Sequence, residues 1–318
     1  MTFYTLLYIN PKDDRKFVSE NDKAKIVDYI KCCILLNNSL LKFGYELIIL
    51  TNNPDEIYKY DKNLKIETLA FNLNIPPDIK FYSAHFKIDV FRYLSTRTND
   101  YSILLDNDIV CLNELPESLM EIVSNNIPIY YDMTDAYQNY WGHETVIKDK
   151  TLIMQQKSDG FWTGGEFLGG PSVFWKELYD LCIKYWDMYQ KNFNQLFHQG
   201  DEMLSSCAIE EYRKNKQIIN IGDNGTDAKG VINRYWSIDP LNNKPTEDKF
   251  NYFLIHLPLD KVFLSKHKFI DKKTFIKEYQ KYYKFKNKVI VLFFNRFHTR
   301  ISNITLKKVY ERITQIKK

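Results

Sequence analysis

Tyr101-Ser102-Ile103-Leu104-Leu105-Asp106-Asn107-Asp108-Ile109-Val110 is a short apolar run that stops at two carboxylates one residue apart. Near-continuous apolar residues fit a strand covered on both faces, as in a parallel α/β sheet, and such sheets bind ligands beyond the carboxyl ends of their strands. In extended backbone, residues i and i+2 point the same way. Asp106 and Asp108 can therefore converge on one hard cation while Asn107 faces away. The plainer alternative is an Asx-type turn that closes the strand.

Working outward, strand and helix signals alternate in the manner of βαβ units. Thr5 to Ile9 reads as a strand ending at Asn10-Pro11, followed by an amphipathic helix near Lys23 to Lys42 that stops at Gly44. Glu46 to Leu50 and Lys65 to Ala70 read as the next two strands. A helix from Ser83 to about Thr96 leads into the strand that ends in Asp106, and Ile127 to Tyr131 follows as a further strand. The pattern predicts an α/β fold with a mostly parallel central sheet flanked by helices. Because a helix feeding a parallel strand begins at the sheet's carboxyl edge, Lys87 is placed near the two aspartates, where it can neutralise a phosphate. Arg92 reads as an i to i+3 partner of Asp89.

Asp132 to Gly170 reads as loop-rich. Within it, Trp162 stands beside Gly164-Gly165, an apolar ring next to bare backbone and hence a candidate platform for a sugar face. Gly169-Gly170-Pro171-Ser172 opens a helix from Ser172 to about Gln190. His198-Gln199-Gly200-Asp201-Glu202 places two carboxylates at the start of another helix. They are either dipole partners or an acid, a base or an anchor for acceptor hydroxyls. Tyr252 to Pro258 is an apolar strand ending on His256, either structural or a metal ligand.

At 318 residues, 44% hydrophobic and 15% aromatic, the chain is globular rather than disordered. The amino terminus turns polar after one strand's worth of apolar residues, which predicts no signal peptide, and no run reaches membrane-spanning length. Five cysteines without metal-ligand spacing read as reduced thiols in a cytoplasm. The net charge of +4 conceals an asymmetry: from Lys261 onward there are 17 Lys and Arg against 3 Asp and Glu, and before it 27 against 37. This separates residues 1–260 from a basic, aromatic-rich extension at 261–318, where Val289 to Phe293 could be one more core strand. Such an end suits an anionic surface, membrane or nucleic acid.

An apolar strand into Asp106-Asn107-Asp108, a glycine-bearing segment, Gly200-Asp201-Glu202 and a strand ending in His256, in that order, resemble the motif set of GT-A fold glycosyltransferases. The likeness spans about residues 3 to 262 and is closest to the family 8-like bacterial enzymes of lipopolysaccharide and capsule synthesis. It implies transfer from a nucleotide-diphosphate sugar, a UDP-sugar in the family's manner, to a saccharide or lipid-linked acceptor, and the basic end then suggests work at the inner face of a bacterial membrane. It implies Asp106, Asp108 and His256 as metal ligands. It further implies Tyr8, Asn10, Lys87, Asp106 and Lys261 on the donor side, Asp201 and Glu202 at the reacting sugar, and Trp162, Gly164 and Gly165 toward the acceptor. Mixed oxygen and nitrogen ligands favour Mn²⁺ over Mg²⁺. Two features depart from the family. His256-Leu257-Pro258-Leu259-Asp260-Lys261 lacks the glycine and Lys-Pro-Trp that usually follow the late His, and the glycine segment lacks an Asn-Ala-Gly run.

Two rivals stand beside this reading. A noncatalytic carbohydrate- or nucleic-acid-binding protein would use the basic, Tyr-rich end, but that end lies outside the ordered motifs, which argues against nucleic acid. A sugar nucleotidyltransferase would carry a Gly-rich phosphate loop after the first strand, where Asn10-Pro11-Lys12-Asp13 stands instead.

Overall fold

The structure, a computed structural model, describes residues 1–9, 20–98, 100–222, 230–237, 244–269 and 271–298. In chain order the elements are β1 (Thr2–Leu7), α1 (Glu20–Leu41), β2 (Leu47–Thr51), α2 (Pro54–Tyr58), β3 (Lys65–Thr68), a 3₁₀ turn (Tyr82–Phe86), α3 (Lys87–Leu94), β4 (Ser102–Leu105) and β5 (Ile109–Cys111). There follow α4 (Glu117–Ser124), β6 (Ile129–Asp132), α5 (Thr134–Trp141), α6 (His143–Met154), β7 (Thr163–Gly170), α7 (Ser172–Asn192), α8 (Asp201–Arg213) and β8 (Ile219–Asn220). The chain then forms β9 (Ile232–Arg234), β10 (Leu254–His256), α9 (Lys261–Leu264) and α10 (Lys272–His298).

Seven strands form the central sheet in the order β3-β2-β1-β4-β7-β6-β8. The pairs β1–β2, β1–β4, β2–β3 and β6–β8 are parallel, whereas β7 runs antiparallel to both β4 and β6. The apolar run before Asp106 is the central strand β4, buried along its whole length. Its neighbour β1 is nearly as dry, with Phe3 and Tyr4 fully buried. Burial on both faces is why these strands read as continuous apolar runs rather than as alternation.

A second sheet, β5-β10-β9, stands beside the first. It holds β10 antiparallel to β5 and parallel to β9, and the register sets His256 opposite Ile109 on one side and Arg234 on the other. This sheet brings the two ends of the sequence pattern together.

Three expectations need correction. The segment from Asp132 to Gly170 is not loop-rich: it folds as α5, α6 and the eight-residue strand β7. Glycines in β7 let neighbours approach, as at Gly169, where an added Cβ would lie 2.9 Å from Ile129 Cγ1. Val289 to Phe293 lies within the helix α10 and adds no strand. The boundary drawn at residue 260 cuts through a shared apolar core. Phe263, Leu264, Phe275, Ile276, Tyr279 and Tyr283 pack with Cys32 and Leu35 of α1, Val110 of β5 and Ile255 of β10. All five cysteines are free and buried.

Candidate metal and donor site

Asp106 follows the last residue of β4, and Asp108 immediately precedes β5, so the Asp-Asn-Asp triplet is the connection between the two sheets. His256 ends β10. Because the Leu257 amide donates to the Asp108 carbonyl at 3.0 Å, antiparallel pairing sets the two side by side despite a sequence separation of 148 positions. Ligand atoms of Asp106, Asp108 and His256 all lie within 4.8 Å of one another.

Three further groups, Lys261, Lys87 and Glu166, define this cluster. Lys261, at the start of α9, donates to the second oxygen of Asp108 and to the Pro258 carbonyl at 3.0 Å. Lys87, the first residue of α3, contacts Asp106 Oδ1 at 2.7 Å, Asp201 Oδ2 at 2.9 Å and the Gly165 carbonyl at 2.9 Å. His256 presents Nε2 to Asp108 Oδ1 at 3.0 Å and Nδ1 to Glu166 Oε1 at 3.2 Å. Burial by itself would keep these groups uncharged. Against that push, Lys261 and His256 hold Asp108 well below the usual carboxylate range. Against the same push on a cation, Asp108 and Glu166 raise His256 to about 9 and Asp106 and Asp201 raise Lys87.

The donor set suits a divalent ion. Two carboxylates supply hard oxygen, one imidazole supplies nitrogen, and Glu166 engages the nitrogen of His256 remote from Asp108, as carboxylates do behind metal-bound histidines. Asp106 is the open member of the set, with its side chain 30% exposed.

Asp201 and Glu202 open α8 and diverge as their helical positions require. Asp201 turns to Lys87. Glu202 turns into the protein, where it accepts from the Gly165 amide at 3.2 Å, from Trp162 Nε1 at 3.2 Å and from the Tyr137 hydroxyl, and pairs with Arg234 Nη1 at 3.3 Å. Burial pushes the Glu202 carboxyl up, but Arg234, His198, the Tyr137 hydroxyl and the Gly165 amide together draw it down to about 2.

The acceptor-side expectation fails in its geometry. Trp162 is fully buried, stacked on Tyr137 at 4.5 Å, and offers no face to a sugar. Gly165 is bare because a Cβ there would lie 2.9 Å from Asp201 Oδ2, 3.0 Å from Glu202 Cγ and 3.1 Å from Lys87 Nζ. The glycine admits side chains of the site rather than a ligand, and Gly164 does the same for Glu166. Arg92 bonds Asp89 at 3.3 Å, as its spacing predicts. Tyr8 lies just beyond β1 with its ring 4.3 Å from Phe86, beside the start of α3. Asn10 lies outside the described residues.

Sequence reasoning missed Glu166, Arg234, Tyr137 and His198. Glu166 interrupts a glycine-rich apolar stretch, and a lone charge there is a usable signal. Arg234 and Tyr137 carry none, because they meet the site only through sheet register and helix packing.

No protein-family model and no curated protein matches this chain. Among solved structures, the galactosyltransferase LgtC in complex with donor and acceptor sugar analogues superposes with a TM-score of 0.52 at 8% identity, covering 86% of this chain and 98% of that one. An active-site mutant of LgtC gives 0.50 at 9% identity, over 81% of this chain and 87% of that one. The seven-stranded, mostly parallel sheet flanked by helices is thus the GT-A glycosyltransferase fold.

Proposed function

We propose that this chain is a metal-dependent glycosyltransferase that moves a sugar from a nucleotide-diphosphate donor, a UDP-sugar by preference, to a saccharide or lipid-linked saccharide in bacterial surface polysaccharide synthesis. The observation that carries this reading is the convergence of Asp106, Asp108 and His256 at the junction of two sheets, with Lys87 beside them. A bound divalent ion, Mn²⁺ or Mg²⁺, would supply electrostatic stabilisation to the leaving diphosphate. Asp106, Asp108 and His256 would hold it. Lys87 and Lys261 then flank the diphosphate with positive charge, and Tyr8, in its aromatic cluster with Phe71 and Phe86, offers a ring to the nucleotide base.

Asp201 is the carboxylate placed toward the reacting sugar, because its partner is the same Lys87. Glu202, held by four groups, keeps α8 and β7 in register behind it. Hydrolysis of a panel of nucleotide sugars, with and without Mn²⁺, tests the assignment. Release of nucleoside diphosphate from one donor, dependent on the ion, is expected; no turnover of any donor would overturn it.

Among the described residues no helix is long and apolar enough to cross a membrane. Peripheral attachment is supported instead by α10, whose Lys273, Lys277, Lys281 and Lys284 are exposed at helical spacing beside Phe285, which is 68% exposed. At about 1 kcal/mol for each Lys near an anionic leaflet, such a face suffices for reversible binding. The full chain should sediment with anionic but not neutral vesicles, and changing the four lysines to Ser should release it. Equal binding by both proteins would discard the membrane role.

A further inference from the structure

Glu166 is a fully buried carboxylate in the interior of a strand that is itself buried at every position. Burial of such a group is by itself weak evidence for a stabilising role, since buried ion pairs are often replaced by apolar residues at no cost or with gain. Its contacts all point to one place. Through its carboxylate, Oε1 meets Nδ1 of His256 at 3.2 Å, and Arg234 approaches both oxygens at 3.5 Å. Through its backbone, its carbonyl accepts the Asp106 amide at 3.1 Å. One residue thus holds two of the three candidate metal ligands, one by side chain and one by main chain. Arg234 continues the chain to Glu202 at 3.3 Å, and so to Trp162, Tyr137 and α8.

Gly164 supplies the room. It lies two residues before Glu166 and so on the same face of β7. A Cβ at Gly164 would stand 2.2 Å from Glu166 Oε2 and 2.8 Å from its Cδ. The carboxylate folds back over its own strand, which is how it reaches β10 instead of projecting straight across the sheet.

We propose that Gly164, Glu166 and Arg234 are positioning residues for the metal ligands: the bare Gly164 lets the Glu166 carboxylate lie along β7, where it fixes the His256 ring with Nε2 toward Asp108 and, through Arg234, ties that ring to the Glu202 anchor of α8. The proposal rests on the reading of Asp106, Asp108 and His256 as a metal site. It assigns Gly164 a role distinct from that of Gly165, which makes room for Lys87, Asp201 and Glu202 on the other face.

The test is titration of Mn²⁺ into the full-length protein, with the free ion followed by electron paramagnetic resonance, for the parent, E166Q, E166L and G164A. Groups behind a metal ligand typically govern about 10- to 100-fold in affinity. E166L should weaken Mn²⁺ binding about 100-fold and E166Q, which keeps an acceptor for His256, about 10-fold. G164A should fall between them, because it displaces the carboxylate without removing it. Thermal unfolding of the metal-free proteins is measured alongside. A Mn²⁺ affinity within about twofold of the parent in E166Q and G164A, whatever the change in melting temperature, would show a merely structural carboxylate and overturn the proposal. Absence of Mn²⁺ binding by the parent would overturn it equally. If the affinities shift as stated but no nucleotide sugar is turned over, the transferase reading fails and the positioning role stands.

Discussion

Asp108 and Glu202 are both buried carboxylates surrounded by positive charge, and their partners separate their roles. Asp108 shares its oxygens between His256 and Lys261 at the cluster where a cation is expected, so Asp108→Asn, which keeps shape and removes charge, should lower Mn²⁺-dependent turnover by at least about 100-fold while circular dichroism is unchanged. Retained activity at saturating Mn²⁺ would remove Asp108 from the metal site. Glu202 behaves otherwise. Its folded-state value near 2 lies below the 4.5 of an unperturbed glutamate, so its charged form stabilises the fold above pH 4.5. That stabilisation, about 3 kcal/mol from a shift of this size, is lost as pH falls from 4.5 toward 2. Glu202→Gln should therefore cost about 2 to 3 kcal/mol at neutral pH and flatten the acid limb of a stability-against-pH curve. Asp201→Asn should instead cut turnover with little change in unfolding free energy. Urea unfolding at several pH values, paired with donor hydrolysis, distinguishes them, and equal effects of the two substitutions would reduce the pair to an ordinary helix start.

At the scale of elements, the site is made where β4, β7, β10 and the first turns of α3 and α8 meet. β7 is the element that sequence reading placed wrongly. Four glycines in eight residues weigh against a strand by propensity, yet tertiary packing overrides this, because each bare position is occupied by a close side chain: Glu166 of β7 itself at Gly164, Asp201 and Glu202 of α8 with Lys87 at Gly165, Ile129 of β6 at Gly169 and Phe174 of α7 at Gly170. Gly165→Ala tests that account. With its methyl 2.9 Å from Asp201 Oδ2 and 3.1 Å from Lys87 Nζ, it should destabilise the fold by about 1 to 3 kcal/mol and displace the Lys87 contacts, so that donor KM rises together with a fall in kcat. A variant with parental kinetics would show that the close approach is not needed. By contrast β4 was legible throughout, because an apolar run ending in two carboxylates has the same meaning at every level from propensity to burial.

At the scale of the whole molecule, the first part of the basic carboxyl-terminal segment, from Lys261 to Tyr283, packs into the body. Phe275 is fully buried between Phe263, His267 and Tyr279, and the Tyr279 hydroxyl bonds Asp260 at 2.7 Å. Phe275→Ala should cost about 3 to 5 kcal/mol of stability and lower the single melting transition of the full chain; an unchanged transition would restore the view of α10 as an appendage. What the sequence determined by itself is whatever local pattern encodes: the βαβ order, the covered strand into Asp106 and Asp108, the placement of Lys87 at a sheet edge, and the opposed charge of the two ends. Only the tertiary structure decided the rest. His256 reaches Asp108 through the pairing of β10 with β5, Arg234 reaches Glu166 through that of β9 with β10, and Trp162 turns inward to Glu202 instead of outward to a sugar. Those outcomes depend on strand register and on which face of a strand is covered, and a change of one residue in register would invert them without altering the local pattern.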